Sequence, residues 1–364
     1  MSLVQQRRQT RQISVGKVNI GSDAPVSVQS MTNTQTQDVE ATVSQILALE
    51  KAGCEIIRVA VPDMEAALAI EKIKQRISIP IIADIHFDFR LALASARAGA
   101  DALRINPGNI GDAKKIQAVV DCAKDHDIPI RIGVNAGSLE KEIEQRLGTT
   151  PEAMVESALR NIKILEDLNF YNIKVSLKAS DVSRTIKAYQ LLAPKTDVPF
   201  HVGVTEAGGL FAGITKSAIG IGMLLAQGLG DTLRVSLTRD PVEEVRTGFE
   251  ILRALDLRSR GPELISCPTC GRCKIDLFKI AEQTEKALLE RSSKIKVAIM
   301  GCVVNGPGEA KEADIGIAGG DGMGILFKKG KVIRKIDQDE LVDQLLSEID
   351  NMTITSEEHN GKKE

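Results

Sequence analysis

The sequence predicts an α/β fold: a (β/α)8 TIM-type barrel followed by a small α/β domain. Short apolar segments rich in β-branched residues alternate with amphipathic helical segments as far as Leu257. This alternation stops near residues 258–262, which include Gly and Pro, and four of the six cysteines lie beyond that point. A barrel uses about 250 residues, so a chain of 364 residues has room for one barrel and one small domain.

Eight candidate strands account for the barrel, and each is a short apolar run followed by polar residues. They are residues 26–30, 56–59, 80–84, 102–105, 129–134, 173–177, 200–204 and 233–237. Sequential parallel strands need helical crossovers. Helical patterns between them include 39–52, 64–76, 113–124, 151–168 and 242–255. An open doubly wound sheet is the alternative, but no G-x-G-x-x-G motif follows the first strand to support it.

The region beyond the break has a different pattern. A helix at 277–289 precedes a strand at 296–300, a hairpin-like segment at 325–336 and a helix at 339–349. We therefore predict a barrel domain at 1–258 and a small domain at 259–351. The polar tail at 352–364 is expected to be disordered, because it offers few apolar side chains for burial.

Polar residues follow nearly every predicted barrel strand, and strand ends of this kind meet at one mouth of a barrel. They are Arg58, Asp84, His86, Arg104, Asn106, Arg131, Asn135, Ser176, Lys178, Thr205, Glu206, Arg234 and Ser236. Four arginines and one lysine face two carboxylates in this set, which leaves surplus positive charge. A structural ion pair could explain any one arginine, but it explains five cations less well. The mouth is therefore predicted to bind an anion, and arginine suits phosphate because its planar group donates two parallel hydrogen bonds.

The cysteines beyond the break form a metal-site pattern. Cys267 and Cys270 are a C-x2-C pair, Cys273 continues that run, and Cys302 follows a predicted strand. Four thiolates would suit structural zinc or an iron–sulfur cluster ligated only by cysteine. Three thiolates with one oxygen ligand would instead leave an exchangeable position, as a catalytic metal requires. The spacing leaves both arrangements open.

Composition excludes several other functions. The net charge of −2, the absence of Trp and the 3% aromatic content argue against nucleic-acid binding. The N-terminal segment has no apolar core of the kind a secretory signal needs, and the apolar stretch at 218–229 is too short to span a bilayer. A cytoplasmic location is therefore expected. In that compartment, six cysteines indicate metal or redox use more than disulfides.

Short motifs mark both predicted domains. The second domain contains CPTCGR at 267–272 and GCVVNGPGE at 301–309. The barrel contains VQSMTNT at 28–34, ADIH at 83–86, LRINPGN at 103–109, RIGVN at 131–135, VGVTE at 202–206 and LRVS at 233–236. Taken together, these motifs resemble one family, the bacterial-type 4-hydroxy-3-methylbut-2-enyl diphosphate synthases of the non-mevalonate isoprenoid pathway. The resemblance covers nearly all of the chain except its termini.

This resemblance implies an oxidoreductase that opens the ring of 2-C-methyl-D-erythritol 2,4-cyclodiphosphate by two-electron reduction with loss of water. It implies a [4Fe–4S] cluster on Cys267, Cys270, Cys302 and Glu309, with Glu309 as the replaceable ligand and Cys273 as a bystander. Electrons are expected from flavodoxin or ferredoxin. The subunits are expected to form a head-to-tail homodimer.

The resemblance and the pattern of residues together suggest roles at the mouth. The five cations are expected to hold the diphosphate, with Asp84 among the lining residues. Neutral hydrogen bonds are expected from Asn106, Asn135, Ser176, Thr205 and Ser236. Glu206 and His86 are equal candidates for delivering the proton to the departing hydroxyl. Two other functions compete with this one: a non-redox enzyme for phosphorylated substrates with a structural zinc domain, and a non-catalytic electron carrier.

Overall fold

The computed structural model describes residues 3–291, 293–302, 308 and 310–360, with side chains described as far as Met352. The chain divides into two units, Met1–Arg258 and Ser259–Glu364, and each is described by itself. No helix in these described parts of the chain is long and apolar enough to cross a membrane.

The first unit contains an N-terminal hairpin and an eight-stranded parallel barrel. The hairpin consists of β1 (Ile13–Val15) and β2 (Val18–Ile20). The barrel strands are β3 (Ser27–Met31), β4 (Ile56–Ala60), β5 (Ile81–Asp84), β6 (Ala102–Ile105), β7 (Ile130–Asn135), β8 (Ile173–Lys178), β9 (His201–Val202) and β10 (Thr232–Leu233). They pair in the order β8-β7-β6-β5-β4-β3-β10-β9, and a bridge from Val175 to Phe200 joins the two ends of that order. The predicted TIM-type barrel is confirmed.

Helices surround this barrel. They are α1 (Val39–Ala52), α2 (Met64–Lys74), α3 (Phe89–Arg97), α4 (Pro107–Ile110), α5 (Ala113–Asp125), α6 (Lys141–Leu147), α7 (Pro151–Asp167), α8 (Val182–Leu192), α9 (Leu210–Ala226) and α10 (Pro241–Ala254). Most begin after a residue whose side chain accepts a backbone hydrogen bond from the first turn. Such caps include Asp38, Asp63, Asp112, Thr150 and Asp181. The apolar faces of the helices pack on the outward side chains of the strands, which forms the main core.

The two last barrel strands are shorter than the sequence predicts. The predicted strands at 200–204 and 233–237 keep regular pairing only over His201–Val202 and Thr232–Leu233. The backbones remain close beyond that point, since Arg234 N donates to Val202 O at 3.0 Å. A side chain at Gly203 would lie only 2.4 Å from the Arg234 carbonyl oxygen, so this approach requires glycine.

The N-terminal hairpin lies at the end of the barrel opposite the mouth. Ile13, Val15 and Ile20 form a separate buried cluster with Ile56, Ile82 and Ala102, which belong to the first or second positions of three barrel strands. The sequence analysis did not identify this hairpin, because its two strands are only three residues long. The hairpin therefore covers the lower ends of β4, β5 and β6 with apolar side chains.

In the described part of the second unit, a five-stranded mixed sheet packs with two α-helices. Its elements are β11 (Glu263–Ser266), α11 (Leu277–Leu288), β12 (Lys296–Met300), β13 (Ile315–Gly319), β14 (Met323–Lys328), β15 (Lys331–Asp337) and α12 (Leu341–Asn360). Strands β11, β12 and β13 are parallel, whereas β13, β14 and β15 are antiparallel. Ile280 and Leu345 belong to the cluster that joins the helices to the sheet.

This unit differs from the sequence prediction in two respects. Strands β11 and β13 were not predicted, and they extend the sheet on either side of β12. Helix α12 also continues to Asn360, into the segment 352–364 that was expected to be disordered. Its first turns bury Leu341, Leu345 and Ile349. Adding further turns to a helix already anchored in this way costs little free energy, even for polar residues.

Candidate active site

A buried ion network lies at the upper ends of β4, β5 and β6. Asp84 Oδ1 accepts a hydrogen bond from Arg104 Nη1 at 3.1 Å, and Asp84 Oδ2 lies 3.6 Å from Arg58 Nε. Burial alone would raise the pKa of Asp84, but Arg58 and Arg104 outweigh it and hold that pKa below its ordinary value. One carboxylate thus serves two guanidinium groups, and positive charge remains uncompensated.

Met31 and His86 complete this network. Arg58 Nη2 donates to Met31 Sδ at 2.9 Å, which is a weak interaction for a charged donor. Burial lowers the pKa of Arg58 to about 10, so it stays charged at neutral pH. The imidazole of His86 is 59% exposed and lies 3.4 Å from Arg104 Nη1, measured to Nδ1. His86 therefore stands at the open side of the network.

Arg131 is the deepest of the predicted cations, with 2% exposure. Its Nε and Nη2 atoms donate to Ser176 Oγ at 3.2 and 3.0 Å. Burial and the neighbouring Arg58 and Arg104 lower its pKa. No carboxylate within the described residues forms an ion pair with it, so a neutral hydroxyl is its main partner here.

Arg234 has a carboxylate partner that the sequence analysis missed. Its Nη2 lies 3.3 Å from Glu244 Oε2, and Glu244 is buried in helix α10. Glu244 also accepts hydrogen bonds from Leu237 N and Ser30 Oγ. Glu244 lies in the helix that follows β10, whereas the sequence pattern indicates charged groups only at strand ends. Glu244 forms an ion pair with Arg234, whereas Asp84 is shared by two arginines. A structural ion pair therefore explains the charge of Arg234 better than that of the other predicted cations.

Several buried guanidinium donors at the mouth have no hydrogen-bond partner among the described residues. They are Arg104 Nε, Arg131 Nη1 and Arg234 Nε. Buried polar groups in native proteins nearly always have hydrogen-bond partners, so exceptions call for an explanation. An anion with several acceptor oxygens would satisfy donors of this kind.

Two glycines create space for the cations. A side chain at Gly133 would lie 2.5 Å from Arg104 Nε, and one at Gly203 would lie 3.0 Å from Lys178 Nζ. Lys178 is buried, and its pKa is well below the ordinary value because of burial and repulsion by Arg131 and Arg234. The glycines of RIGVN and VGVTE are thus part of the site.

A cavity of about 380 Å³ opens beside these groups. Of the predicted residues, Asn135, Lys178, Thr205 and Glu206 line it. It also has polar lining residues that the sequence analysis did not select: Ser138, Thr149, Ser180 and Arg184. These come from loops and the start of α8, where no strand pattern marks them.

Glu206 has an unusual backbone conformation in this cavity, with φ of +53°. A left-handed conformation costs a residue other than glycine about 1 kcal/mol or more, and such strain concentrates at functional sites. A glycine at this position would adopt the same φ without that cost. The strained placement favours a functional role for its carboxylate.

Two residues that were predicted to bind the ligand, Asn106 and Ser236, do not line the cavity. Asn106 caps α4, because its Oδ1 accepts a hydrogen bond from Gly108 N at 3.3 Å. Ser236 is half-buried after β10 and does not line the cavity. Both residues lie at strand ends, as predicted. No described hydrogen bond joins Ser236 to the other predicted site residues.

The cysteines of the second unit lie at the ends of two neighbouring strands. Cys267 follows β11, and its backbone N donates to Ile299 O in β12 at 3.0 Å. Cys302 comes two residues after β12, and Cys270 and Cys273 lie in the segment that leaves β11. Thr269, between the first two cysteines, has φ of +67°, which is strained for a β-branched residue.

The donor set is chemically suited to a metal or cluster. All four thiols are at least partly exposed and none forms a disulfide. A side chain at Gly301 would lie 2.8 Å from Cys273 Sγ, so that sulfur packs against the backbone beside Cys302. Within the described parts of the chain, no three His, Cys, Asp or Glu side chains form a preassembled metal site. Glu309, the expected fourth ligand, lies outside the described residues.

Comparison with known families gives matches to both units. A family model described as the GcpE TIM-barrel domain matches residues 10–249. A model described as the GcpE protein C-terminal domain matches residues 263–351. The two matches together cover most of the chain.

Curated relatives are similar over almost the full length. The 4-hydroxy-3-methylbut-2-en-1-yl diphosphate synthase (flavodoxin) of Geobacter sulfurreducens is 58% identical, covering 97% of this chain and 100% of the relative. The protein of the same name from Caldanaerobacter subterraneus subsp. tengcongensis is 59% identical, covering 96% and 99%. Among solved structures, a dihydropteroate synthase from Stenotrophomonas maltophilia matches with a TM-score of 0.51 at 15% identity, covering 68% of this chain and 97% of that one. At that identity the structural match supports the barrel fold alone.

Proposed function

This chain belongs to the GcpE family, and we propose that it reductively opens and dehydrates 2-C-methyl-D-erythritol 2,4-cyclodiphosphate to give 4-hydroxy-3-methylbut-2-enyl diphosphate. The observation that carries this proposal is the set of partly unpartnered cations at the barrel mouth, in a chain 58% identical to synthases of that name. The zinc-containing, non-redox alternative is not favoured by the relatives.

The barrel's part is to bind and orient the cyclic diphosphate. Arg58, Arg104, Arg131, Lys178 and Arg234 would hold the phosphates, with neutral hydrogen bonds from Asn106, Asn135, Ser176, Thr205 and Ser236. The free donors of Arg104, Arg131 and Arg234 support this assignment. Asp84 would keep Arg58 and Arg104 in position. Fixed charges of this kind stabilise a departing phosphate oxygen without reorganisation.

We propose that the second unit holds an iron–sulfur cofactor, as expected for a member of this family. We propose a [4Fe–4S] cluster on Cys267, Cys270, Cys302 and Glu309. Cys273 is assigned no ligand role, which is supported by the hydrogen bond that its Sγ donates to Ile275 O at 3.2 Å. When bound, such a cluster supplies electrons one at a time and a Lewis-acidic iron.

Proton delivery falls to Glu206 or His86. Glu206 lines the cavity and has a strained backbone, which supports a role close to the substrate. His86 stands beside Arg104 at the exposed side of the ion network, which suits a hydrogen bond to phosphate. We therefore propose Glu206 as the proton donor and His86 as a phosphate ligand.

The partners follow from the family. The names of the relatives include flavodoxin, and we propose flavodoxin or ferredoxin as the electron donor. We also propose a head-to-tail homodimer, in which the cluster of one subunit would serve the barrel of its partner. The cytoplasmic location remains a prediction.

An anaerobic preparation tests the proposed function. Iron and sulfide should each be present at about four per chain, as the cluster type requires. The protein should then convert the cyclic diphosphate to the linear product when reduced flavodoxin is supplied. A colourless protein that contains zinc and does not turn over the cyclic diphosphate would contradict the proposal and favour the non-redox alternative.

A further inference from the structure

A group of buried polar side chains lies inside the barrel, and neither the predicted site nor the proposed mechanism uses it. We call this group the lower polar layer. It consists of Ser27, Gln29, Lys174, His201 and Thr232, each at most 2% exposed. They come from β3, β8, β9 and β10, which are neighbours around the barrel.

The strand register directs these side chains to the interior. Lys174 is paired with Arg131, and Thr232 is paired with both His201 and Ser27. Paired residues on adjacent strands point to the same side of a sheet. Gln29 lies two residues after Ser27 and therefore shares its side. The lower polar layer thus occupies the same interior as Arg131.

The layer consists of polar groups without partners. Lys174 Nζ, both ring nitrogens of His201, both amide atoms of Gln29 and the hydroxyls of Ser27 and Thr232 make no hydrogen bond within the described structure. Barrel interiors are usually filled with branched apolar side chains. The opposite part of this interior follows that rule, where the hairpin packs on Ile56 and Ile82. At the lower level of the interior, the polar side chains therefore lie on the side of β3, β8, β9 and β10, and the side of β4, β5 and β6 is apolar.

The charges around Lys174 determine its state. Its amine faces Arg131 of β7 and Arg58 of β4, and His201 of β9 lies in the same group. No carboxylate in the described structure lies within ion-pair distance of it. Burial and the two arginines hold the pKa of Lys174 well below its ordinary value, and burial does the same for His201. Without an anion, Lys174 is therefore disposed to lose its proton.

We propose that the lower polar layer is a second level of the anion site, and that Lys174 takes up a proton from solvent when a diphosphate binds above it. This inference rests on the proposed function, because it requires the barrel to bind the cyclic diphosphate. A bound polyanion next to Arg131 offsets the repulsion from the arginines and favours the ammonium form of Lys174. Binding then consumes a proton, so affinity weakens as pH rises through the range in which free Lys174 is neutral.

Calorimetry of the oxidised holoenzyme tests this linkage without turnover. The cyclic diphosphate is titrated, with no electron donor, in two buffers of different ionisation enthalpy at about pH 8. The wild-type protein should take up between about 0.3 and 1 proton per ligand. Lys174→Met should remove a measurable part of that uptake and weaken binding by about tenfold, because a buried charge is lost.

Two further variants complete the experiment. Lys72→Met, on the exposed face of α2, is the matched control and should leave both uptake and affinity unchanged. Lys174→Gln keeps hydrogen-bonding capacity without a titrating group, and it should behave as Lys174→Met does if the methionine variant fails to fold. Binding with unaltered proton uptake in both Lys174 variants would overturn the inference alone. A wild-type protein that does not bind the cyclic diphosphate would overturn the proposed function as well.

Discussion

The barrel cations and the cysteines of the second unit both stand at the ends of parallel strands, but the polypeptide holds them in different ways. Arg58, Arg104 and Arg131 are buried and fixed by Asp84 or Ser176. The cysteines are partly exposed, and their described neighbours do not assemble a metal site. Burying charge in a sheet forces the geometry to be completed during folding, because an unpaired ion is costly. Thiols at a surface carry no such requirement, and metal binding can supply their order.

The largest expected effect is on the second unit. Cys302→Ser should lose iron and sulfide and all measurable turnover, because a serine hydroxyl is a poor ligand for a soft metal centre. Iron analysis of the anaerobic protein and the reductive assay measure this directly. Calorimetric binding of the cyclic diphosphate to the barrel should persist, because the barrel cations are unchanged in this variant.

Cys273→Ser is the matched control for that variant. Its thiol hydrogen bonds to Ile275 O, a role that a hydroxyl can fill, so iron content and turnover should stay within about twofold of wild type. Retention of iron by Cys302→Ser together with loss of iron from Cys273→Ser would reverse the ligand assignment.

The next effect is at the proton donor. Glu206→Gln keeps the size of the side chain but cannot deliver a proton, so kcat should fall by about 10²–10⁴ while iron content is unchanged. His86→Asn should instead raise KM with a smaller loss of kcat. Steady-state kinetics of both variants distinguish the two roles. A large loss of kcat in His86→Asn together with a raised KM in Glu206→Gln would instead make His86 the proton donor and Glu206 the phosphate ligand.

Another variant tests the rigidity of the barrel site. Asp84→Asn should destabilise the barrel by about 3–5 kcal/mol, because Arg58 and Arg104 lose their shared buried carboxylate. The pKa of Asp84 is depressed in the folded state, so its stabilising contribution is present above its unfolded value of about 3.9 and declines as pH falls through the folded pKa. Urea unfolding of wild type and variant should therefore differ at neutral pH and converge only in acid. An unaltered midpoint at neutral pH would show that the network is not a structural support.

The smallest effect is on binding alone. Arg131→Ala should weaken binding of the cyclic diphosphate by about 30- to 100-fold, equivalent to the loss of a charge-assisted hydrogen bond. Iron content should not change, and calorimetry with metal analysis measures both. A loss of iron from this variant would mean that the cation site of the barrel and the cysteine site of the second unit are not independent of each other.

The sequence predicted the barrel well because each of its strands depends on local apolar pattern, and the register of parallel strands then places their ends together. It could not predict partners that come from elsewhere in the chain. Glu244 lies in a helix that reads as an ordinary amphipathic segment, and Arg184 follows a loop. Both reach the mouth only through tertiary packing.

The buried part of strand β8 contains a residue, Lys174, that was not predicted although the sequence pattern included it. Lys174, Ser176 and Lys178 alternate along one face, and that two-residue period was available from the sequence. Only Ser176 and Lys178 lie at the end of the strand, where polar residues predict a site. Lys174 lies deeper, and its isolation from carboxylates becomes visible only when the neighbouring strands are in place.

The hairpin at the lower end of the barrel has a kinetic consequence. Ile13, Val15 and Ile20 pack against Ile56, Ile82 and Ala102 at that end, whereas the cavity that the described site residues line opens at the upper end. The linear product is therefore expected to depart along the path by which the next cyclic molecule arrives. Accumulated product should therefore compete with fresh reactant for the same entrance, and this competition would slow the enzyme as its product builds up.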